Sequence, residues 1–221
     1  NIIPEAAKAF TKKTGVKFGP VDNIGSGKAV EAVIEGRAEL AGASRALAAA
    51  EKKHKLYYQI IGYDAIGVYV HRKNPVQNLS KEQIKRIYTG KIRNWREVGG
   101  KDAPIVCITE TLGEKRASML EFQQLAIDGA AYRENRVEVG YPRDQAAALA
   151  GEENGIVSVS FAFAREDIRA VTVDKVEVNE RNVRSGAYLI SRPLLLLTKG
   201  LPKGDVKKFF TLYFDSSDID A

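Results

Sequence analysis

The order of helical and extended patterns restricts the fold of this chain more than any other feature of its sequence. Pro4 and Glu5 place a proline and an acid in the first turn of a helix, as helix starts prefer. A second helix is predicted over residues 28–35, and a strand over residues 39–43 follows it. Strands that alternate with helices in this way predict an α/β fold with mixed, mainly parallel sheets.

The alternation continues to the end of the chain, without an internal repeat or a low-complexity segment. Ser80 and Gln83 form a capping box, which predicts the start of a helix that ends at Gly90. Further strands are predicted over residues 16–18, 59–70, 104–109, 137–139, 155–161, 170–173 and 192–198. Further helices are predicted over residues 115–127 and 143–150, and over a C-terminal stretch that carries Val206, Phe209, Phe210 and Tyr213.

Two long apolar strands, residues 60–70 and 193–198, enclose the middle of the sequence. No flexible linker rich in proline and serine occurs, so we expect both strands to cross between two lobes and to act as a hinge. Lobe I is then predicted to comprise residues 1–66 and 193–221, and lobe II to comprise residues 67–192. The prediction is a two-lobed fold with a cleft between the lobes.

The composition excludes several classes of protein. A content of 44% hydrophobic and 28% charged residues is typical of a globular chain, which excludes global disorder. The apolar runs are far shorter than the roughly 20 residues that span a bilayer. The net charge of +6 permits anionic ligands, but Lys and Arg are not gathered with aromatic residues as nucleic-acid binding requires. The charge therefore leaves a small anion open as a ligand, and we expect neither DNA nor RNA as a partner.

The sequence offers no recognisable set of residues for catalysis or metal binding. Cys107 is the single cysteine, and it lies in an apolar run where we expect it to pack inertly in the core. His54 and His71 have neither a nucleophile nor metal ligands at suitable spacing, so we expect both at the surface. A Gly-Ser-Gly-Lys string fails as a nucleotide-binding loop, because Asp22 and Ala29 stand where glycine and serine or threonine are needed. The prediction is a non-enzymatic protein without a metal or organic cofactor.

Three polar loops near the ends of predicted elements are candidate anion sites. In the first, Gly25, Ser26 and Gly27 lead directly into a helix, whose first amide groups and dipole attract small anions. In the second, Ser44 offers a hydroxyl and Arg45 a planar pair of donors suited to an oxyanion. Ligands of open α/β sheets bind outside the carboxyl ends of strands, where these residues are predicted to lie.

The third loop covers residues 109–116 and contains hydroxyls, a flexible glycine and two cations. Each loop also has a simpler interpretation, which the sequence leaves open. Ser26 would cap its own helix. Ser44 would cap a helix over residues 46–55, with Arg45 in solvent, and the third loop would expose its charges to water. Three such loops in one chain nevertheless favour an anion site.

Several strings of the sequence are together typical of one protein family. They are Thr14-Gly15-Val16-Lys17, Gly25-Ser26-Gly27, Ala43-Ser44-Arg45, and the segments at residues 62–68, 74–79, 87–92, 94–100, 189–194 and 198–200. These strings resemble the PstS-like phosphate-binding proteins of bacterial ABC transporters, within the type II periplasmic-binding-protein superfamily. The similarity extends over nearly the whole chain.

The resemblance implies a two-lobed receptor that closes on phosphate or a similar oxyanion and delivers it to the permease of an ABC transporter. It further implies a monomer in a periplasmic or other extracytoplasmic location, with no catalytic activity. The residues that the resemblance and the loops place at the ligand are Gly25, Ser26, Gly27, Ser44, Arg45, Asp64, Thr109, Thr111, Gly113, Lys115 and Arg116.

The sequence departs from the family pattern in the second lobe. Thr109 stands where the family has an arginine, and residues 112–116 replace a Gly-Ser-Gly-Thr-Arg string of which only Arg116 is kept. A Ser/Thr-rich turn that precedes the first helix in the family is expected to be cut off or changed, since the chain begins at Asn1, just before Pro4. An alternative interpretation is therefore the same fold with altered or lost phosphate binding, acting as a sensor or a protein-interaction module.

A carboxylate in the cleft would distinguish phosphate from sulfate. Phosphate near neutral pH usually carries a proton that sulfate lacks, and a carboxylate accepts that proton. A buried carboxylate that faces a fully ionised anion instead costs several kcal/mol. The available carboxylates are those of Asp64, Glu110 and Glu114.

Overall fold

The computed structural model describes residues 2–22, 24–114 and 116–214 of the chain. The helices are α1 (Ile2–Thr14), α2 (Ser26–Ile34), α3 (Ala49–Lys52), α4 (Lys81–Tyr88), α5 (Ala117–Ala126), α6 (Pro142–Ala150), α7 (Glu180–Arg184) and α8 (Gly204–Phe214). The strands are β1 (Ala41–Ala43), β2 (Leu56–His71), β3 (Asn78–Leu79), β4 (Val106–Glu110), β5 (Val137–Val139), β6 (Gly155–Ser160), β7 (Ile168–Ala170), β8 (Thr172–Val173) and β9 (Ser191–Lys199). Short 3-10 helices cover Trp95–Val98, Leu112–Glu114 and Phe161–Phe163.

The described residues of the chain form two compact units. Unit 1 comprises residues 1–62 and 193–221, and unit 2 comprises residues 63–192. The boundaries between the units fall inside β2 and near the start of β9, so two strands run from one unit into the other, as predicted. The limits given above for lobe I and lobe II stay a prediction.

Unit 1 is built around the pairing of β1 with β9. The two strands run antiparallel, with Ala41 opposite Leu197 and Ala43 opposite Leu195. Successive residues of β9 point to opposite faces, so Leu195 and Leu197 pack with α2 while Leu196 packs with Phe10 and α8. This packing places the end of β1 beside the start of α2.

The strand predicted over residues 16–18 does not form, and the prediction is wrong. Phe18 instead packs edge-to-face on Phe10, at 5.9 Å between ring centroids, and lies 5.0 Å from Phe209. These aromatic contacts account for the apolar character of the segment without a partner strand.

Unit 2 contains a mixed sheet in which β2, β6, β4 and β5 follow one another. β2 runs antiparallel to β6 and β7, whereas β4 runs parallel to both β6 and β5, so parallel pairing is less dominant than expected. One apolar cluster contains residues of α4 and α5, and another contains residues of α6. Ile66 pairs with Ser160, which brings the end of β6 close to the part of β2 that begins unit 2.

Local predictions inside unit 2 are confirmed at two places. Ser80 accepts a hydrogen bond from the Gln83 amide at 3.1 Å, and Gln83 Oε1 accepts one from the Ser80 amide at 2.8 Å, so the capping box begins α4 as expected. Cys107 is buried in the core, and burial raises the pKa of its thiol to about 12, as fits an inert residue. None of the helices in the described part of the chain is long and apolar enough to cross a membrane.

Candidate oxyanion-binding residues

Ser26 and Ser44 meet in unit 1, although 18 positions separate them. α2 begins at Ser26, whose side chain is buried, and Gly25 precedes it with a φ of 84°. Ser26 Oγ accepts a hydrogen bond from the Ser44 amide at 3.0 Å, and the two hydroxyl oxygens lie 3.2 Å apart. The first two polar loops of the sequence therefore form one hydroxyl-bearing site at the start of α2.

The simpler interpretation of Ser26 as an N-cap is wrong. Gly25 occupies the N-cap position of α2, and no side chain caps the helix there. The amide groups of the first helical turn have no intrahelical acceptor, and the positive end of the helix dipole lies among them. A hydroxyl and a set of uncapped amides at one place are donors that an oxyanion can use.

Arg45 belongs to an ion pair within unit 1. Its Nη1 and Nη2 atoms donate to the Glu51 carboxylate at 2.8 and 2.7 Å, and Nη1 also donates to the Ala46 carbonyl at 2.9 Å. The hydrogen bond from Arg45 lowers the pKa of Glu51. Arg45 is therefore not solvated, and Ser44 does not cap a helix, because α3 begins after Ala48.

Asp64 lies in unit 2 with both carboxylate oxygens bound. Ser160 Oγ donates to Oδ1 at 2.5 Å, and Arg192 donates to Oδ2 from Nε at 2.9 Å and from Nη2 at 2.7 Å. Ser160 and Arg192 are both buried. Their three hydrogen bonds hold the Asp64 carboxylate in one orientation.

Glu110 is fully buried at the end of β4 and forms a second charged cluster in unit 2. Ser118 Oγ donates to Oε1 at 2.6 Å, and Arg116 Nε lies 3.4 Å from Oε2. Burial raises the pKa of Glu110, while the Ser118 hydrogen bond and the charges of Arg116 and Arg192 partly offset that increase. The Arg116 guanidinium lies over the ring of Tyr141, 4.8 Å from its centroid. The charges of this loop therefore do not all face water.

The remaining predicted ligand residues of the third loop are Thr109, Thr111, Gly113 and Lys115. Thr109 is fully buried within β4, not at its end, and its hydroxyl has no hydrogen-bond partner among the described residues. Thr111 donates from its hydroxyl to the Val139 carbonyl at 3.3 Å. Gly113 lies in the 3-10 helix, and Lys115 lies outside the described residues.

Sequence reasoning overlooked Ser160 and Arg192, the two partners of Asp64. Arg192 carried a signal, because it is a charged residue at the start of an otherwise apolar strand. Ser160 carried none beyond its place at the end of a strand. Across the described ranges, no group of three or more His, Cys, Asp or Glu residues is arranged to hold a metal ion.

The chain is similar to known proteins along its length. The family model described as a PBP superfamily domain matches residues 1–217. Over 145 residues the chain is 32% identical to the phosphate-binding protein PstS of Bacillus subtilis (strain 168). That match covers 65% of this chain and 47% of the Bacillus protein, so the chain spans about half the length of this relative.

Two solved structures share the fold. A chain from Clostridium perfringens, described as a phosphate ABC transporter substrate-binding protein with bound phosphate, has a TM-score of 0.84 at 34% identity, covering 99% of this chain and 90% of that chain. An ABC-type phosphate transport receptor from Vibrio cholerae has a TM-score of 0.85 at 23% identity, covering 99% of this chain and 91% of that one. The predicted fold class is confirmed by these similarities.

Proposed function

This chain belongs to the PBP superfamily, and from that membership we propose that it is a receptor that captures phosphate or a similar oxyanion and delivers it to an ABC transporter. The names of its Bacillus and Clostridium relatives support the choice of ligand and of transporter. The receptor acts outside the cytoplasm, binds its ligand as a monomer and carries out no chemical step on it.

The observation that carries the proposal is the contact between Ser26 and Ser44 at the uncapped start of α2. A hydroxyl can rotate its hydrogen towards a ligand oxygen, and the amides of a first helical turn point along the helix axis. Together they offer several neutral donors to one anion. Such donors stabilise a negative charge and need no counter-ion of their own.

Asp64 supplies the acceptor that favours phosphate over sulfate. Its carboxylate is held by Ser160 and Arg192, and it accepts the proton that phosphate carries and sulfate lacks. Sulfate at the same place would present an unprotonated oxygen to a carboxylate, and the repulsion would weaken its binding by orders of magnitude.

The test is thermal melting and calorimetric titration of the phosphate-stripped protein with phosphate, arsenate and sulfate in turn. A ligand present at about 1,000 times its Kd adds about 4 kcal/mol of stability, and we expect this shift with phosphate and arsenate only. Ser26→Ala should weaken phosphate binding at least about tenfold. Ser185→Ala, which removes a hydroxyl bound only to the Asn182 carbonyl at 3.3 Å, is the matched control and should bind normally.

Absence of a shift with all three anions would contradict the proposal. That result would favour the alternative in which the fold serves as a sensor or a protein-interaction module. The replacement of a cation by the neutral, buried Thr109 is the observation that supports this alternative.

A further inference from the structure

Unit 2 contains a buried guanidinium, one nitrogen atom of which has no hydrogen-bond partner among the described residues. Arg192 is the second residue of β9, and its exposed fraction is 7%. Nε and Nη2 donate to Asp64, whereas Nη1 is buried and has no acceptor within the described residues. A guanidinium carries two hydrogens on each terminal nitrogen, so Nη1 of Arg192 has donors available for a further acceptor.

Two arginines of the predicted loops have other partners. Arg45 donates to the Glu51 carboxylate, and Arg116 lies beside Glu110 and over the ring of Tyr141. Arg192 is the one cation among the buried residues of the described part of the chain, and its Nη1 has no acceptor there. It was not among the residues predicted to bind the ligand.

We propose that Arg192 binds the oxyanion directly, with Nη1 donating to a ligand oxygen while Nε and Nη2 hold Asp64. This inference rests on the proposed function, because it assigns a further residue to the binding of the proposed ligand. A buried donor without an acceptor is unfavourable, and an anion oxygen removes that penalty with a charge-assisted hydrogen bond. Arg192 then serves both groups: it positions the carboxylate that selects phosphate and contacts the anion itself.

The planar shape of the guanidinium makes this double role possible. Its five N–H groups point in fixed directions, so one edge can bind a carboxylate while the remaining nitrogen faces another oxygen. Ser160 holds the other oxygen of Asp64 at 2.5 Å, which keeps the pair from rotating. A lysine at this position has one nitrogen and cannot hold both groups in the same geometry.

Calorimetric titration with inorganic phosphate tests the assignment. Arg192→Lys keeps the charge and should weaken phosphate binding by about tenfold to a hundredfold. The matched control is Arg169→Lys, since Arg169 also lies in unit 2 but donates from Nη2 to the Asn74 and Val76 carbonyls. It should change the Kd less than about twofold.

A double-mutant cycle separates direct contact from an effect through Asp64. In an Asp64→Asn background, Arg192→Lys should still weaken phosphate binding about tenfold if Arg192 touches the anion. No further loss in that background would overturn the inference while leaving the proposed function intact. A wild-type protein that binds no phosphate would overturn both.

A measurement on the native protein does not depend on the folding of any variant. The side-chain nitrogen resonances of Arg192, assigned through bonds from its own backbone amide, should shift when phosphate saturates the wild-type protein. Saturation by phosphate without any change in these resonances would overturn the inference.

Discussion

Glu110 places a carboxylate in the interior of unit 2, where loss of hydration disfavours its charged form. Ser118 donates to it and Arg116 lies near it, yet burial still raises the pKa above the usual value of 4.5. The folded chain therefore binds this proton more tightly than the unfolded chain does. As the pH rises from 4.5 through the raised pKa, Glu110 makes a growing unfavourable contribution to the free energy of unfolding, and above that pKa the contribution is constant.

Replacement of Glu110 by glutamine should remove this pH dependence. Glu110→Gln keeps an oxygen that accepts from Ser118 but has no charge to desolvate, so its stability relative to the wild type should increase as the pH rises above 4.5. Each unit by which the pKa is raised corresponds to about 1.4 kcal/mol. Urea unfolding of both proteins between pH 4 and 8 (roughly the range of most stable folding) measures the difference.

The control for this experiment is Glu134→Gln, which neutralises an exposed glutamate of the same unit. Carboxylates with lowered pKa, such as those of Glu51 and Asp128, are common to all three proteins and cancel in the comparison. If the free energies of unfolding of the wild type and Glu110→Gln change in parallel with pH, ionisation of Glu110 does not destabilise the folded state and the prediction is contradicted.

Some residues of the candidate site were predictable from the sequence. Ser26 and Ser44 were chosen because they precede or follow predicted elements, and Asp64 was chosen from the family resemblance; the structure gives each a partner. The partners themselves were not predictable, since Arg192 lies 128 positions from Asp64 and only the packing of the strands brings the two together. The ligand role of these residues stays a prediction.

The helix α4 shows how a local signal defines an element. The reciprocal hydrogen bonds between Ser80 and Gln83 satisfy two amide groups that would otherwise lack a partner at the helix start. Ile84, Ile87 and Tyr88 of this helix are buried, so its position depends on packing as well as on the cap.

Removal of the cap should destabilise the protein measurably. Ser80→Ala leaves the Gln83 amide without its side-chain acceptor, and we expect a loss of about 1 kcal/mol in the free energy of unfolding. Ser80→Asn retains an N-cap acceptor and should recover most of that loss. Chemical denaturation of the three proteins measures the change, and equal stability of Ser80→Ala and the wild type would contradict it.

Other elements were predictable to different degrees, for physical reasons. β5 and α6 were identified nearly to the residue, because glycine and proline mark their ends. The segment at residues 16–18 has the alternation of a strand, but its aromatic ring packs against α1 and α8 and no strand pairs with it. An alternation of hydrophobic and polar residues indicates burial of one face, but it does not distinguish burial in a sheet from burial by isolated aromatic contacts.

At the scale of the whole molecule, the resemblance to PstS-like proteins read from the sequence is confirmed by the family match over residues 1–217. The chain path divides unequally between the two units: unit 1 needs both ends of the chain, whereas unit 2 is one continuous segment, residues 63–192. Unit 2 also contains two apolar clusters of its own, on helices α4, α5 and α6. A continuous segment with its own core has what an independent folding unit requires.

Unit 2 should therefore fold when residues 63–192 are produced alone. The chain has one tryptophan, Trp95, which is buried in unit 2 and donates from Nε1 to the Asn154 carbonyl at 2.9 Å. Its fluorescence reports on this unit in both the full chain and the fragment, so the fragment should show the same buried emission and a single cooperative unfolding transition. Exposed emission with gradual unfolding would mean that unit 2 depends on the residues outside 63–192. In a folded fragment, the side chains of Asp64, Ser160 and Arg192 must keep their geometry without unit 1. The side-chain nitrogen resonances of Arg192 should then be the same in the fragment as in the full chain.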